Sequence, residues 1–155
     1  MIRRLGLAAF SLAIGATLWA DSNLPKAATH AEIKAYVERA AKFVAKSGPS
    51  CDAFKGKEWM AGDYYIFVDD PENRTLCHPN ASLIGKNSDE ITDVNGKKVG
   101  VAIRQAAARK GGGWTEYMWP RPGTDKPLPK STFAMHVKAP DGKTYTVGAG
   151  GYEVK

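Results

Sequence analysis

Apolar residues Ile33, Val37, Ala40 and Val44 recur at the spacing of one helix face, while Glu32, Lys34, Glu38, Arg39 and Lys42 fall largely elsewhere. That pattern predicts an amphipathic helix over residues 30–46. Thr29 with Glu32 forms a capping-box pattern at its start, and Ser47-Gly48-Pro49 ends it. Residues 50–61 predict no more than a short helical turn. Residues 64–68 are apolar without interruption and rich in aromatic and β-branched types, so they predict a strand covered on both faces. Period-two alternation puts Tyr65 and Phe67 on one face and Tyr64, Ile66 and Val68 on the other. Residues 69–73 have turn chemistry, which places Asp69, Asp70 and Glu72 in solvent, and 75–78 return as the second strand of a hairpin. After a turn at 93–96, Val99, Ile103 and Ala106 share one face of a helix over 99–110. Three glycines end that helix and begin a strand through Trp119. A proline-rich loop over 120–129 precedes an alternating strand at 132–138, with Phe133, Met135 and Val137 on one side. Residues 139–142 turn the chain into a last strand from 144 to about 152. The expectation is an α+β fold, an antiparallel β-sheet of about five strands with a long N-terminal helix and a second helix packed against it.

The ends and the charge narrow the function. Residues 1–20 combine Arg3 and Arg4 with an uncharged run that finishes in small residues, the pattern of an export signal cut after Ala20. The run is short for a membrane anchor and is interrupted by Gly6, Ser11 and Gly15. The expected organisation is therefore a signal peptide at 1–20, a linker at 21–29 and one domain at 30–155, periplasmic or secreted. The formal net charge of +6 is carried by lysines scattered along the chain, with no cationic block, which argues against nucleic-acid binding. Two cysteines in an exported chain, Cys51 and Cys77, favour a disulfide worth roughly 3 kcal/mol. Cys77-His78 lacks the first cysteine of a haem-attachment motif. His30, His78 and His136 have no metal-ligand spacing, and Asp93 with Asn95 lacks the remaining ligands of a calcium loop. On one strand Ser131 and His136 face opposite sides, so no nucleophile–base pair forms. No enzyme activity, metal or cofactor is expected.

The segments Y-Y-I-F-V-D-D, L-C-H-P-N, L-I-G-K-N, G-G-G-W-T-E-Y-M-W-P, P-K-S-T-F and V-G-A-G-G-Y, in that order and spacing, resemble the successive motifs of single Cache domains. The resemblance runs from about His30 to Tyr152. It implies a PAS-like sheet outside the cytoplasmic membrane and a pocket for small ligands such as short organic acids or amino acids. The chain departs from the receptor pattern at Cys77, where a small residue is more usual, and at Pro71 and Asn73, where the hairpin often carries glycine. No second span and no kinase, methyl-accepting or cyclase module follows Tyr152. The expected protein therefore lacks its own transducer and reports through a separate membrane receptor or kinase.

Within this frame the expected ligand is a small anionic metabolite. Lys130 is the candidate anchor, since an ammonium group in an apolar cleft attracts a carboxylate more strongly as water is excluded. His78 and Tyr117 are candidates to orient the ligand, and Tyr65 with Trp114 or Trp119 to wall it off. Trp114 and Trp119 are an odd number of residues apart, which puts them on opposite faces of a regular strand. Arg121, between two prolines, is the alternative anchor. A different class of function is an interaction module without ligand, in which the stripe of Ile33, Val37 and Val44 on the N-terminal helix pairs with a partner or in a homodimer.

Overall fold

The computed structural model describes residues 22–155, so the export signal and its cleavage after Ala20 lie outside the described residues. Helix α1 (His30–Ser47) starts where the capping pattern predicts: Thr29 is the N-cap, and its hydroxyl accepts from the Glu32 backbone N–H at 3.2 Å. The reciprocal half of the capping box is absent. Glu32 instead accepts from the Lys26 backbone N–H at 3.1 Å, tying the incoming chain to the helix. Gly48 closes α1 at φ +78°, a conformation that glycine alone adopts without a Cβ penalty. Ile33, Val37 and Val44 are completely buried against the sheet. The stripe expected to serve a partner or a homodimer is therefore part of the domain's own core, and that route to pairing is removed.

Helix α2 (Cys51–Phe54) is a single turn, tied to the sheet by the Cys51–Cys77 disulfide with its Cα atoms 5.2 Å apart. The sheet contains β1 (Phe67–Asp69), β2 (Thr75–Cys77), β3 (Gly113–Pro120), β4 (Pro127–Lys138) and β5 (Thr144–Tyr152). Its order is β2-β1-β5-β4-β3, antiparallel throughout. Helix α3 (Val99–Ala107) covers the face opposite α1, and two 3-10 turns, Ala81–Leu83 and Ser88–Glu90, lead into it.

Three boundaries differ from expectation. β1 begins only at Phe67, because Tyr64 folds back to bridge Ala61. β4 begins at Pro127, five residues earlier than the alternation indicated. Its first residues pair with β3 only, beyond the end of β5, so the missing proline amides leave no ladder bond unmade on that open side. Asn73 takes the left-handed conformation, φ 60°, in the hairpin turn. Asparagine tolerates that region better than most residues, which accounts for its presence where glycine is usual.

Alternation along the strands sorts the molecule into two clusters. Ile66, Val68, Phe133, Val137, Val147 and Ala149 pack under α1. Tyr65, Phe67, Tyr117 and Ala134 pack under α3 with Val99, Ile103 and Ala107. On the α3 face of β5 two successive positions, Gly148 and Gly150, carry no side chain. A Cβ at Gly148 would lie 2.3 Å from the Phe67 ring, and one at Gly150 would lie 2.4 Å from the Thr132 hydroxyl and 2.8 Å from Lys130 Cε. The glycines of V-G-A-G-G-Y thus make room for the residues that line the α3 side.

Candidate functional site

A cavity of about 30 Å³ lies between the sheet and α3, with Tyr65, His78, Tyr117 and Trp119 among its walls. Tyr65, His78 and Trp119 also line an outer cleft of about 340 Å³, roofed by the proline-rich segment after Trp119. These three side chains are the partition between the two spaces. His78 stands edge-on to Tyr65 and to Trp119, at ring centroid distances of 5.1 and 6.2 Å, and Tyr117 meets Trp119 at 5.8 Å.

Behind this partition lies Lys130. It is 1 % exposed, and its Nζ donates to the Tyr65 hydroxyl at 2.7 Å while lying 4.1 Å from that ring's centroid. The Tyr152 ring is 5.7 Å away on another side. Strand register brings the lysine here: Lys130 pairs with Tyr117 on β3 and with Tyr152 on β5. Among the described residues it makes no ion pair within 4 Å. Burial brings its ammonium down to about 7, against the opposing negative charge of Asp63.

The other polar groups are also donors. His78 Nδ1 accepts from the Asn80 backbone N–H at 2.9 Å, which fixes the neutral tautomer with a proton on Nε2. Burial, reinforced by the charge of Lys130, brings His78 down to about 3, so the ring is neutral across the physiological range. Tyr117 accepts from the Thr132 hydroxyl at 2.9 Å, leaving its own proton unassigned. Tyr65 accepts from Lys130 in the same way. Burial raises both phenols well above their ordinary value, so both remain protonated donors. This end of the cavity is thus a convergence of O–H and N–H groups backed by a buried cation, a field suited to a compact anion.

Five of the six candidate residues are brought together: Tyr65, His78, Tyr117, Trp119 and Lys130. Trp114 is not with them. It faces α1, where it packs against His30 at 4.4 Å and Phe133 at 5.3 Å between ring centroids, as its odd separation from Trp119 requires. Lys130 also differs from expectation, because it stands one layer behind the cavity wall and acts on the cavity through Tyr65. Arg121 sits on the rim of the outer cleft, held by Asp63 at 3.2 Å and Glu153 at 3.5 Å. The residue that sequence reading placed wrongly is Asp69. It is 6 % exposed and lines the cavity with Thr75 and Ser88, instead of standing in solvent with its turn. Burial pushes its carboxyl up to about 6, against the neighbouring hydroxyls of Ser88 and Thr75, which pull it down. Its signal was present, since Tyr65, Phe67 and Asp69 continue one alternation.

Comparisons with known proteins agree with this fold. A periplasmic sensor domain of a chemotaxis protein superposes with a TM-score of 0.58 at 31 % identity, covering 79 % of this chain and 94 % of that one. A Cache chemosensory domain solved for its recognition of carboxylic acids superposes with a TM-score of 0.56 at 25 % identity, covering 77 % of this chain and 73 % of that one. The sensor histidine kinase MctS of Rhizobium johnstonii is 35 % identical over 91 residues, which is 58 % of this chain but only 19 % of the kinase. The model of the family described as Single Cache domain 2 matches residues 12–153, from within the expected export signal to the residue after β5. With helix, sheet order and motif sequence all inside that match, the chain belongs to the Single Cache domain 2 family.

Proposed function

We propose that this protein is an extracytoplasmic sensor that binds a small carboxylate in the cavity under α3 and reports occupancy to a membrane receptor or kinase. One observation carries the reading: a fully buried ammonium group without an acidic partner, beside phenol, imidazole and indole groups whose acceptor sites are already engaged and whose O–H and N–H protons remain to donate. Buried charges without partners are costly, and such a site becomes favourable when an anion arrives. Lys130 supplies the charge, Tyr65 and Tyr117 aim their hydroxyls at the carboxylate, and His78 donates from Nε2. Trp119 with Tyr65 closes the cavity from the outer cleft. The kinship with a domain solved for carboxylic acid recognition supports the ligand class, and kinship with a periplasmic sensor domain and a sensor kinase supports the compartment and the kind of partner.

The test is a thermal-shift panel of C2–C6 carboxylates and amino acids on protein purified from residue 21 onward. A ligand at 100 times its dissociation constant adds about 2.7 kcal/mol of stability, so a hit gives a clear rise in Tm. Lys130→Ala is expected to abolish that rise. A flat panel, with the variant behaving like the parent, would defeat the proposal.

A further inference from the structure

The cavity has a second polar end. Tyr65, Phe67 and Asp69 are alternate residues that all line the cavity, and Asp69 stands at the end of β1, beyond Phe67 from Tyr65. Between the two ends the walls are apolar, formed by Phe67, Ile91, Val99 and Ile103. Asp69 shares its end with the hydroxyls of Thr75 and Ser88, and no lysine, arginine or histidine pairs with it within 4 Å among the described residues.

A carboxyl group offers about four acceptor positions. Thr75 and Ser88 own one hydroxyl proton each, and the Ser88 hydroxyl donates to the Asn73 carbonyl at 2.9 Å. Two hydroxyl protons at most, one of them already committed to Asn73, leave acceptor capacity on Asp69, and Asp69 is a lining residue of the cavity. The donor-rich end at Tyr65 and the acceptor-rich end at Asp69 oppose each other across an apolar waist. Such an arrangement discriminates by the far end of the ligand, because a simple alkyl acid would seal off a buried carboxyl without giving it a donor.

We propose that Asp69 is a specificity-determining residue of this cavity, and that the ligand is a short acid carrying a second, hydrogen-bond-donating group, hydroxyl or amino, at the end remote from its carboxylate. This rests on the carboxylate-binding reading above. The volume of about 30 Å³ holds few non-hydrogen atoms, which restricts the acid to the short end of the range.

Isothermal titration with two matched sets tests it: propionate, 3-hydroxypropionate and β-alanine, then butyrate, 4-hydroxybutyrate and 4-aminobutyrate. In the parent protein the best donor-bearing acid should bind about tenfold or more tighter than its alkyl counterpart, the cost of one unmet buried acceptor. The hydroxyl and amino arms identify which donor is used. Asp69→Leu should reverse the ranking in favour of the alkyl acid. Asp69→Asn, which keeps an acceptor oxygen, should preserve it and serves if the leucine variant does not fold. Equal binding of alkyl and donor-bearing acids, with the ranking unmoved in either variant, overturns this proposal while leaving carboxylate binding intact. Failure of every acid to bind overturns both.

Discussion

The two faces of this sheet are made from the same strands and obey different rules. On the α1 side, β1, β4 and β5 with the residue leading into β1 present Ile66, Val68, Phe133, Val137, Val147 and Ala149, and the helix answers with Ile33, Tyr36, Val37 and Val44. Its buried phenols are satisfied: Tyr36 donates to the Trp59 carbonyl and Tyr145 to the Asp141 carboxylate. On the α3 side the neighbouring positions of those strands are Tyr65, Asp69, Lys130, Thr132, Gly148 and Gly150. One face removes apolar surface from water. The other gives up that stabilisation to hold a cation, phenols and a carboxyl around a space. On the proposed reading, stability and recognition are thus separated by a single-residue step along each strand.

Breaking the α1 face should produce the largest loss. Ile33→Ala deletes a fully buried side chain and is expected to cost about 2–5 kcal/mol in denaturant unfolding. Carboxylate affinity of the surviving folded protein should stay within about twofold of the parent, since sites without shared partners act independently. A proportional loss of affinity would erase the distinction between the faces. Removing the disulfide, as Cys51→Ser with Cys77→Ser, should cost roughly 3 kcal/mol by loop-closure entropy. This change reaches across the sheet, because Cys77 lies in the α1 cluster and its neighbour His78 lies in the cavity wall. Affinity should fall along with stability here, in contrast to Ile33→Ala.

On the other face the sign should reverse. Lys130→Met keeps an unbranched side chain and removes an unpaired buried charge, so the empty protein should gain about 1–4 kcal/mol while losing carboxylate binding. Destabilisation by that change would mean that the lysine is a structural member of the fold. The pH dependence follows from the same group. Its ordinary value of 10.5 falls to about 7 on folding, so its contribution to stability is fully present above 10.5 and is lost as pH falls through 7. The stability difference between Lys130→Met and the parent should therefore widen from pH 10 to pH 7. Ligand affinity runs the other way and should weaken above about pH 7, where the empty site loses its ammonium proton. Asp69, raised from 3.8 to about 6, contributes stability that is present below 3.8 and lost as pH rises through 6. The smallest effect is expected outside both faces, where Thr29→Ala removes the N-cap of α1 for about 1 kcal/mol with no change in binding.

Much of this division could be read in the chain before folding. Alternation assigned Tyr65 and Phe67 to one side and Ile66 and Val68 to the other, and the spacing of Trp114 and Trp119 separated those rings. What local pattern could not convey was depth. Lys130 opens a run that reads as a strand start beside prolines, a place where lysine is ordinarily solvated; only the register with Tyr117 and Tyr152 buries it. Asp69 was masked by its neighbours, because the turn chemistry of residues 69–73 outweighed its place as the next step after Phe67. β4 was shortened for a similar reason. Prolines argue against a strand until it is known that one edge there has no partner.

The contact between Lys130 and Tyr65 has a consequence for how the empty and filled proteins differ. On the proposed reading a visiting carboxylate meets the Tyr65 hydroxyl with the ammonium group behind it, so arrival lengthens an existing chain and leaves its inner link in place. By donating to the phenol oxygen, the ammonium group makes the phenol proton a stronger donor towards the arriving anion. Loosening that contact would weaken the hold on the anion even though every residue facing the cavity stayed in place.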